Sequence, residues 1–407
     1  MGGIARFMLM NPSSQTLRAS LRVQKFGGSC LYSAEQYLHV ASYLENICSR
    51  GERVVAVVSA MGKTTQSLLD LAEKVSAKPS ARELDLLLST GEQQSIALLG
   101  MALEARGIPA RVVHVFELGI VTDNRYGSAE VLRVSADRLR GWLEESPLVV
   151  VPGFVGVTED GSVTTLGREA SDLTAVLLAS ALNVPRCELF KEVDGVYTAD
   201  PGLVPGARRL ARLAYPDMLE LARSGAKVLH PSAVRLAEQR HILLELKTLH
   251  RPDISTTVDG QEESPPAIFL ALTLKQDCLL ARVAQEHRVR FSDWLRESAA
   301  DRLVLAEPRS FAVAGSGREP GWLLATDRRG FPLPDYVQSE EVATVTLVGA
   351  IEDDLIRRGE EILAAPGGAV DIIGLARSER AARWLVSPGD GPAACRALHR
   401  RLVEQTA

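Results

Sequence analysis

The sequence predicts an α/β fold with a largely parallel sheet, followed by a smaller α+β region. Segments rich in β-branched residues alternate with helical ones from residue 21 to about residue 250, the pattern of a parallel sheet with covering helices. The segments at 54–59 and 148–153 are apolar without strict alternation, as expected of strands covered on both faces. A polar, acidic stretch at 259–266, ending in two prolines, then breaks the rhythm.

Further strands are expected at 111–115 and 242–248. A helix is expected at 92–105, with Ile96, Leu99 and Leu103 on one face and Gly107 as its stop. A second, at 172–182, is apolar nearly all round and so buried. Beyond the break, strands are expected at 267–274, 342–348 and 369–375, and helices at 352–364 and 392–403, arranged as two small βαβ units. The domain reading is a loose leader at 1–20, a first domain at 21–260 and a second region at 261–407.

Composition limits the function. A formal net charge of −5 offers no basic field for nucleic acid. No apolar run approaches the ~18 residues that suggest a membrane span. Cys30, Cys48, Cys187, Cys278 and Cys395 have neither disulfide nor zinc spacing and fit a reducing cytoplasm. No metal site is read from the sequence. Any anionic ligand must therefore be held by local devices such as helix N-termini and a few lysines.

Six segments offer such devices. Lys25-Phe26-Gly27-Gly28-Ser29 follows a strand, and its glycines let backbone amides approach a phosphate while Lys25 neutralises charge. The segment at 57–65, VVSAMGKTT, contains Gly-Lys-Thr, but a P-loop needs a glycine five positions before Gly62 and Val57 stands there. A small-residue loop with Ser59 remains. Ser89-Thr90-Gly91-Glu92 is read at a helix start, where Glu92 either favours the helix dipole or holds an ammonium group. In the segment at 164–172, Ser171 or Asp172 suits a helix cap, and Arg168 suits a carboxylate held in bidentate fashion. The segment at 193–201 is a turn after a strand. In the segment at 225–231, Lys227 lies near a helix end, and His230 is read as a structural residue before proline.

Taken in order, KFGGS, VVSAMGKTT, STGE, PGFVG, TLGR with SD, EVDGVYTADP and GAKVLHP resemble the aspartate kinase pattern, from about Arg22 to Val258. The resemblance implies the three-layer amino-acid kinase sandwich and transfer of the ATP γ-phosphoryl group, with Mg²⁺, to the side-chain carboxylate of L-aspartate. By matching position it implies that Lys25 contacts the phosphates, that Gly27, Gly28 and Ser29 line their site, and that Asp172 orients the catalytic lysine or the metal–phosphate unit. It places Glu92 and Arg168 on the amino acid, with Ser59 and Ser171 beside it, and Lys191, Glu192, Tyr197 and Lys227 around the nucleotide. The C-terminal region resembles, in divergent form, the tandem ACT domains that regulate this family and join it into homodimers or larger assemblies. Where the family commonly carries two small residues, this chain has Glu169-Ala170. A carboxylate ~4 Å from an anionic ligand costs several kcal/mol in a partly buried site, so Glu169 points outward or selects a different substrate. An amino-acid kinase acting on another carboxylate, and a non-catalytic regulatory homologue, are the alternative expectations.

Overall fold

The structure is a computed structural model that describes residues 21–260, 270–297, 304–306, 311–312, 322–325, 333–365 and 370–404. The leader, most of the 259–266 stretch, the first residues of the 267–274 strand and the 366–368 turn lie outside them. The chain forms two compact units. The first comprises residues up to Val196 together with 211–215 and 228–260, and the second comprises 197–210, 216–227 and the C-terminal part. Two short segments inside the 21–260 stretch are thus counted with the second unit.

In the first unit, strands Arg212–Ala214, Ser255–Asp259, Leu243–Lys247, Arg186–Phe190, Leu21–Phe26, Arg53–Val58, Leu148–Pro152 and Ala110–Val112 line up in that order. Every neighbouring pair is parallel except Leu243–Lys247 with Ser255–Asp259. Phe26, Val54, Ala56, Val58, Leu148, Val150 and Phe190 form one buried face beneath helices Ala34–Cys48 and Ala81–Glu104. Residues of the other parity, Val23 and Lys25 among them, face helix Ser171–Leu182. That helix is apolar all round and almost wholly buried, as its sequence requires. The six strands from Leu243–Lys247 to Ala110–Val112 end on the same side, and ligands in such sheets bind beyond the carboxyl ends of the strands.

Two local expectations are corrected here. The strand expected at 111–115 ends at Val112, because His114 and Glu117 form a reciprocal capping box that starts helix Val115–Leu118. The helix expected at 92–105 begins eleven residues earlier, at Ala81, where the Ser80 hydroxyl accepts the Glu83 N–H at 3.3 Å. Ser89-Thr90-Gly91-Glu92 therefore lies in mid-helix and caps nothing.

The second unit carries a seven-stranded sheet. Its long strands Leu270–Val283 and Val337–Gly349 pair antiparallel, as do Val337–Gly349 with Ala381–Val386 and Ala381–Val386 with Ile372–Ser378. Parallel βαβ pairing, expected from the sequence, does not occur among these strands. Ile372–Ser378 and Ala381–Val386 are joined by only two residues, which permits a hairpin and no crossover. Trp384 is fully buried at the centre of the core, and Gly359 of helix Asp353–Ala364 gives its ring room that a Cβ would fill. The expected helix at 392–403 is α-helical over Gly391–Leu398 and widens to π geometry over His399–Val403, with the Glu404 N–H on the His399 carbonyl. Buried His399 also hydrogen-bonds the Thr198 hydroxyl through Nε2 at 2.9 Å.

Candidate active site

The first motif forms a turn at the end of the Leu21–Phe26 strand. The Gly27 N–H donates to the Phe190 carbonyl at 3.1 Å, and residues 28–30 make a single 3₁₀ turn. Gly28 is required by packing, since a Cβ there would lie 2.8 Å from the Ala60 carbonyl oxygen and 3.0 Å from that of Gly62. The second motif closes on the first, with the Ser59 N–H on the Phe26 carbonyl and the Gly62 N–H on the Gly28 carbonyl, both at 3.1 Å. Two segments some thirty residues apart are thus one double loop at the carboxyl ends of adjacent strands.

Beneath this double loop lies Asp172. The cap position of its helix is Ala170, without a side-chain cap bond, so neither Ser171 nor Asp172 is spent on capping. Lys25 Nζ approaches Asp172 Oδ1 at 2.9 Å, and Lys191 Nζ donates to Oδ1 at 2.9 Å and to Oδ2 at 2.7 Å. The His230 backbone N–H is 3.4 Å from Oδ2. Burial pushes the Asp172 carboxyl up, but Lys191 and Lys25 outweigh it and hold the group well below the usual carboxylate range. The two lysines respond oppositely. Burial lowers Lys25, yet its attraction to Asp172 wins and its value is raised. Burial and the neighbouring Lys25 charge bring Lys191 down to about 8 despite Asp172. The cluster holds one ammonium firmly and the second loosely.

The other carboxylate of the site has a different setting. Glu92 is 3 % exposed. Its Oε1 accepts the Ala60 N–H at 3.0 Å, while Oε2 is buried with no hydrogen-bond partner. Burial raises its pKa to about 7, against the pull of the backbone N–H groups and Lys25. Gly91 lets the helix approach so closely, since a Cβ there would lie 2.8 Å from the Ala60 Cβ. Seven residues back on the same helix, buried Asp85 accepts the Gly127 N–H at 2.8 Å, the Thr165 N–H at 2.9 Å and the Thr165 hydroxyl at 2.7 Å. This ties the helix to the small sheet that holds Val155–Thr158 and Val163–Thr165.

The residues expected from the sequence are therefore placed as follows. Lys25, Asp172 and Lys191 are in direct contact. Gly27, Gly28, Ser29 and Ser59 form the double loop above, and Glu92 joins it through Ala60. Ser171 is buried at the first turn of its helix, packed so tightly on Gly153 that a Cβ there would lie 2.7 Å from its own. Arg168 is exposed and donates to Gln66 Oε1 at 3.3 Å. Glu169 is exposed in the left-handed region, at φ 60°, and Glu192 is exposed. Tyr197 and Lys227 belong to the second unit. His230 caps helix Pro231–Arg240, its Nδ1 accepting the Ser232 N–H at 3.2 Å, which agrees with its structural reading. Ala60 was not anticipated, because its contribution is a backbone N–H and an alanine gives no chemical signal. Among the described residues, no group of three or more His, Cys, Asp or Glu side chains is placed to hold a metal ion.

Residues 20–245 match the model of the amino acid kinase family. An aspartokinase of Geobacillus stearothermophilus is 46 % identical over 236 residues, which cover 58 % of this chain and 58 % of that protein. The aligned region thus spans little more than half of that relative's length. The crystal structure of the aspartate kinase from Synechocystis superposes with a TM-score of 0.55 at 30 % identity, covering 93 % of this chain and 69 % of that one. Aspartokinase III of E. coli, solved with aspartate and ADP, shares the fold with a TM-score of 0.78 at 24 % identity, covering 94 % of this chain and all of that one. Among the described residues no helix is long and apolar enough to cross a membrane.

Proposed function

This chain belongs to the amino acid kinase family, and we propose that it is an aspartate kinase, transferring the γ-phosphoryl group of ATP to the side-chain carboxylate of L-aspartate. The observation that carries this reading is the buried Asp172 with its lysine partners, joined through the Gly28–Ala60 contact to a second buried carboxylate, Glu92, that has an oxygen to spare. One end suits a phosphoryl group and the other an ammonium group. The donor is ATP as its Mg²⁺ complex, so the ion is part of the substrate. Both Asp172 oxygens already have lysine partners, and among the described residues no group of three or more His, Cys, Asp or Glu side chains is placed to hold an ion.

The acceptor carboxylate is ionised at neutral pH and needs no general base. Its oxygen bonds to the γ-phosphorus, the bond to the β–γ bridging oxygen breaks, and ADP leaves with the electron pair. Catalysis is then positioning plus neutralisation of charge, with Lys25 held for that purpose by Asp172. Glu92 receives the substrate ammonium group in its ionised form. Because burial lifts its pKa to about 7, aspartate binding weakens as pH falls below that value. Gly27, Gly28 and Ser29 face the phosphates, Ser59 and Ser171 the amino acid, and Arg168 its α-carboxylate after leaving Gln66. Lys191 and Glu192 serve the nucleotide.

A second acceptor is favoured by one observation, the acidic Glu169 beside Arg168, which would select a less anionic or more cationic amino acid. The second unit, with its antiparallel sheet and covering helices, suits a divergent pair of ACT domains that regulate the enzyme and join it into a homodimer or larger assembly, in the cytoplasm. Trapping the acyl phosphate as a hydroxamate, with aspartate and a panel of analogues as acceptors, tests the reading. Aspartate-dependent ADP release with hydroxamate supports it. ATP binding without turnover of aspartate overturns it, and turnover of an analogue alone establishes the second acceptor.

A further inference from the structure

Asp172 has one positive partner more than its own charge requires. Lys25 and Lys191 both contact it, so the three groups carry a net charge of +1 in a largely dry site. Of the neighbouring groups, Glu92 offsets part of this charge when ionised, acting on Lys25 without an ion pair to it. Burial keeps the Cys30 thiol protonated and the His230 imidazole neutral, and Glu169 lies on the surface. Uncompensated charge removed from water is costly, so the site is built for an incoming anion. The two lysines also differ in freedom. Lys25 sits within a strand with its side chain 6 % exposed, whereas Lys191 follows the end of strand Arg186–Phe190 with its side chain 18 % exposed.

We propose that Lys191 is the second cation of phosphoryl transfer, turning from Asp172 toward the γ-phosphoryl group while Lys25 stays paired. This rests on the phosphotransferase reading above and goes beyond the nucleotide-flanking role given there. Lys191 keeps its proton throughout the step, and no proton moves. The titratable groups that face it are Lys25 from the strand, Asp172 from its helix, the protonated Cys30 thiol from the 3₁₀ turn and, at the cap of helix Pro231–Arg240, the neutral His230. In the free enzyme its proton is held loosely by comparison with Lys25, so kcat/KM for Mg²⁺–ATP falls as pH rises above about 8.

The test uses the full chain with Lys191→Met, which keeps the length and removes the charge, and Lys191→Arg, which keeps a charge that does not titrate in this range. With Lys191→Met, kcat is expected to fall on the order of 10²-fold, with KM for aspartate within threefold of the parent and Tm not lowered. With Lys191→Arg, activity persists and its decline above pH 8 disappears. A Lys191→Met protein with kcat within threefold of the parent, or a Lys191→Arg protein with the original alkaline decline, overturns the proposal. Calorimetric titration with Mg²⁺–ATP separates this failure from failure of the acceptor assignment. If the parent does not turn over aspartate but Lys191→Met binds the nucleotide at least tenfold more weakly, the acceptor is wrong and the lysine's role stands. If both proteins bind it equally, the lysine's role fails as well.

Discussion

Asp172 and Glu92 are both buried carboxylates of one site, yet their surroundings drive them in opposite directions. Asp172 has two ammonium groups within 2.9 Å, and they hold its carboxyl well below the usual carboxylate range. Glu92 has one backbone N–H and an oxygen without a partner, and near neutrality it is shared between its two protonation states. The first is complete without ligand and serves to hold lysines. The second is incomplete, and in the proposed reaction it gains its partner from the substrate. A group already satisfied organises the site, and a group left short of a partner recognises what binds there.

The largest effects should come from breaking the complete end. Replacing Lys25 with Met is expected to lower kcat on the order of 10³-fold with little change in nucleotide-independent stability, measured by hydroxamate trapping and thermal melts. Asp172→Asn leaves two buried ammonium groups unpaired and should destabilise the fold by ~3–5 kcal/mol, read from urea denaturation. The parent's contribution from Asp172 has a definite sign with pH. Its folded pKa lies below the unfolded value near 4, so the stability is present above that value and is lost as pH falls through the folded one.

Smaller effects belong to the incomplete end. Glu92→Gln should raise KM for aspartate by ~10–100-fold, consistent with loss of a charge-assisted contact of ~1.5–3 kcal/mol. The same change should stabilise the free protein at pH 8. The folded pKa of Glu92 lies above its unfolded value, so stability is lost as pH rises from about 4.5 to about 7, and the amide escapes that loss. A Glu92→Gln protein less stable than its parent at pH 8 would remove the contrast between the two carboxylates. Gly91→Ala tests how Glu92 is positioned. The new Cβ meets the Ala60 Cβ, so a cost of ~1–3 kcal/mol in stability and a several-fold rise in KM are expected. Glu169→Gly is the mildest change. It relieves a left-handed backbone and should stabilise by up to ~1 kcal/mol, with kcat for aspartate changed at most a few-fold, visible as a small rise in Tm.

The complete end was far more legible in the sequence than the incomplete one. Lys25, Gly27 and Gly28 sit in a glycine turn at a strand end, while Asp172 alone reads as a helix cap and takes its expected role from the aspartate kinase resemblance. The parallel sheet followed from unbroken apolar strands such as residues 53–58. The contact of Lys191 with Asp172 could not be read, because a strand and most of a helix separate the two and the pairing depends on where both end in space. Glu92 was recognised but misplaced. Its helix starts at Ser80, inside a polar stretch that hides the cap, so a local helix-start pattern at Ser89 looked sufficient. The antiparallel second sheet was missed because alternation of strands and helices does not report pairing direction when the linking strands fall outside the pattern.

The Ala81–Glu104 helix has a consequence for how this site can change over generations. Asp85, Glu92 and Leu99 are spaced seven residues apart and fasten, respectively, an accessory sheet, the loop above the phosphate end and the apolar core. Deleting one residue between Asp85 and Glu92 would turn one carboxylate about 100° relative to the other and unfasten two of the three attachments at once. An insertion or deletion along this rod therefore disturbs several attachments together, whereas a change at an exposed loop position such as Glu169 leaves all three in place.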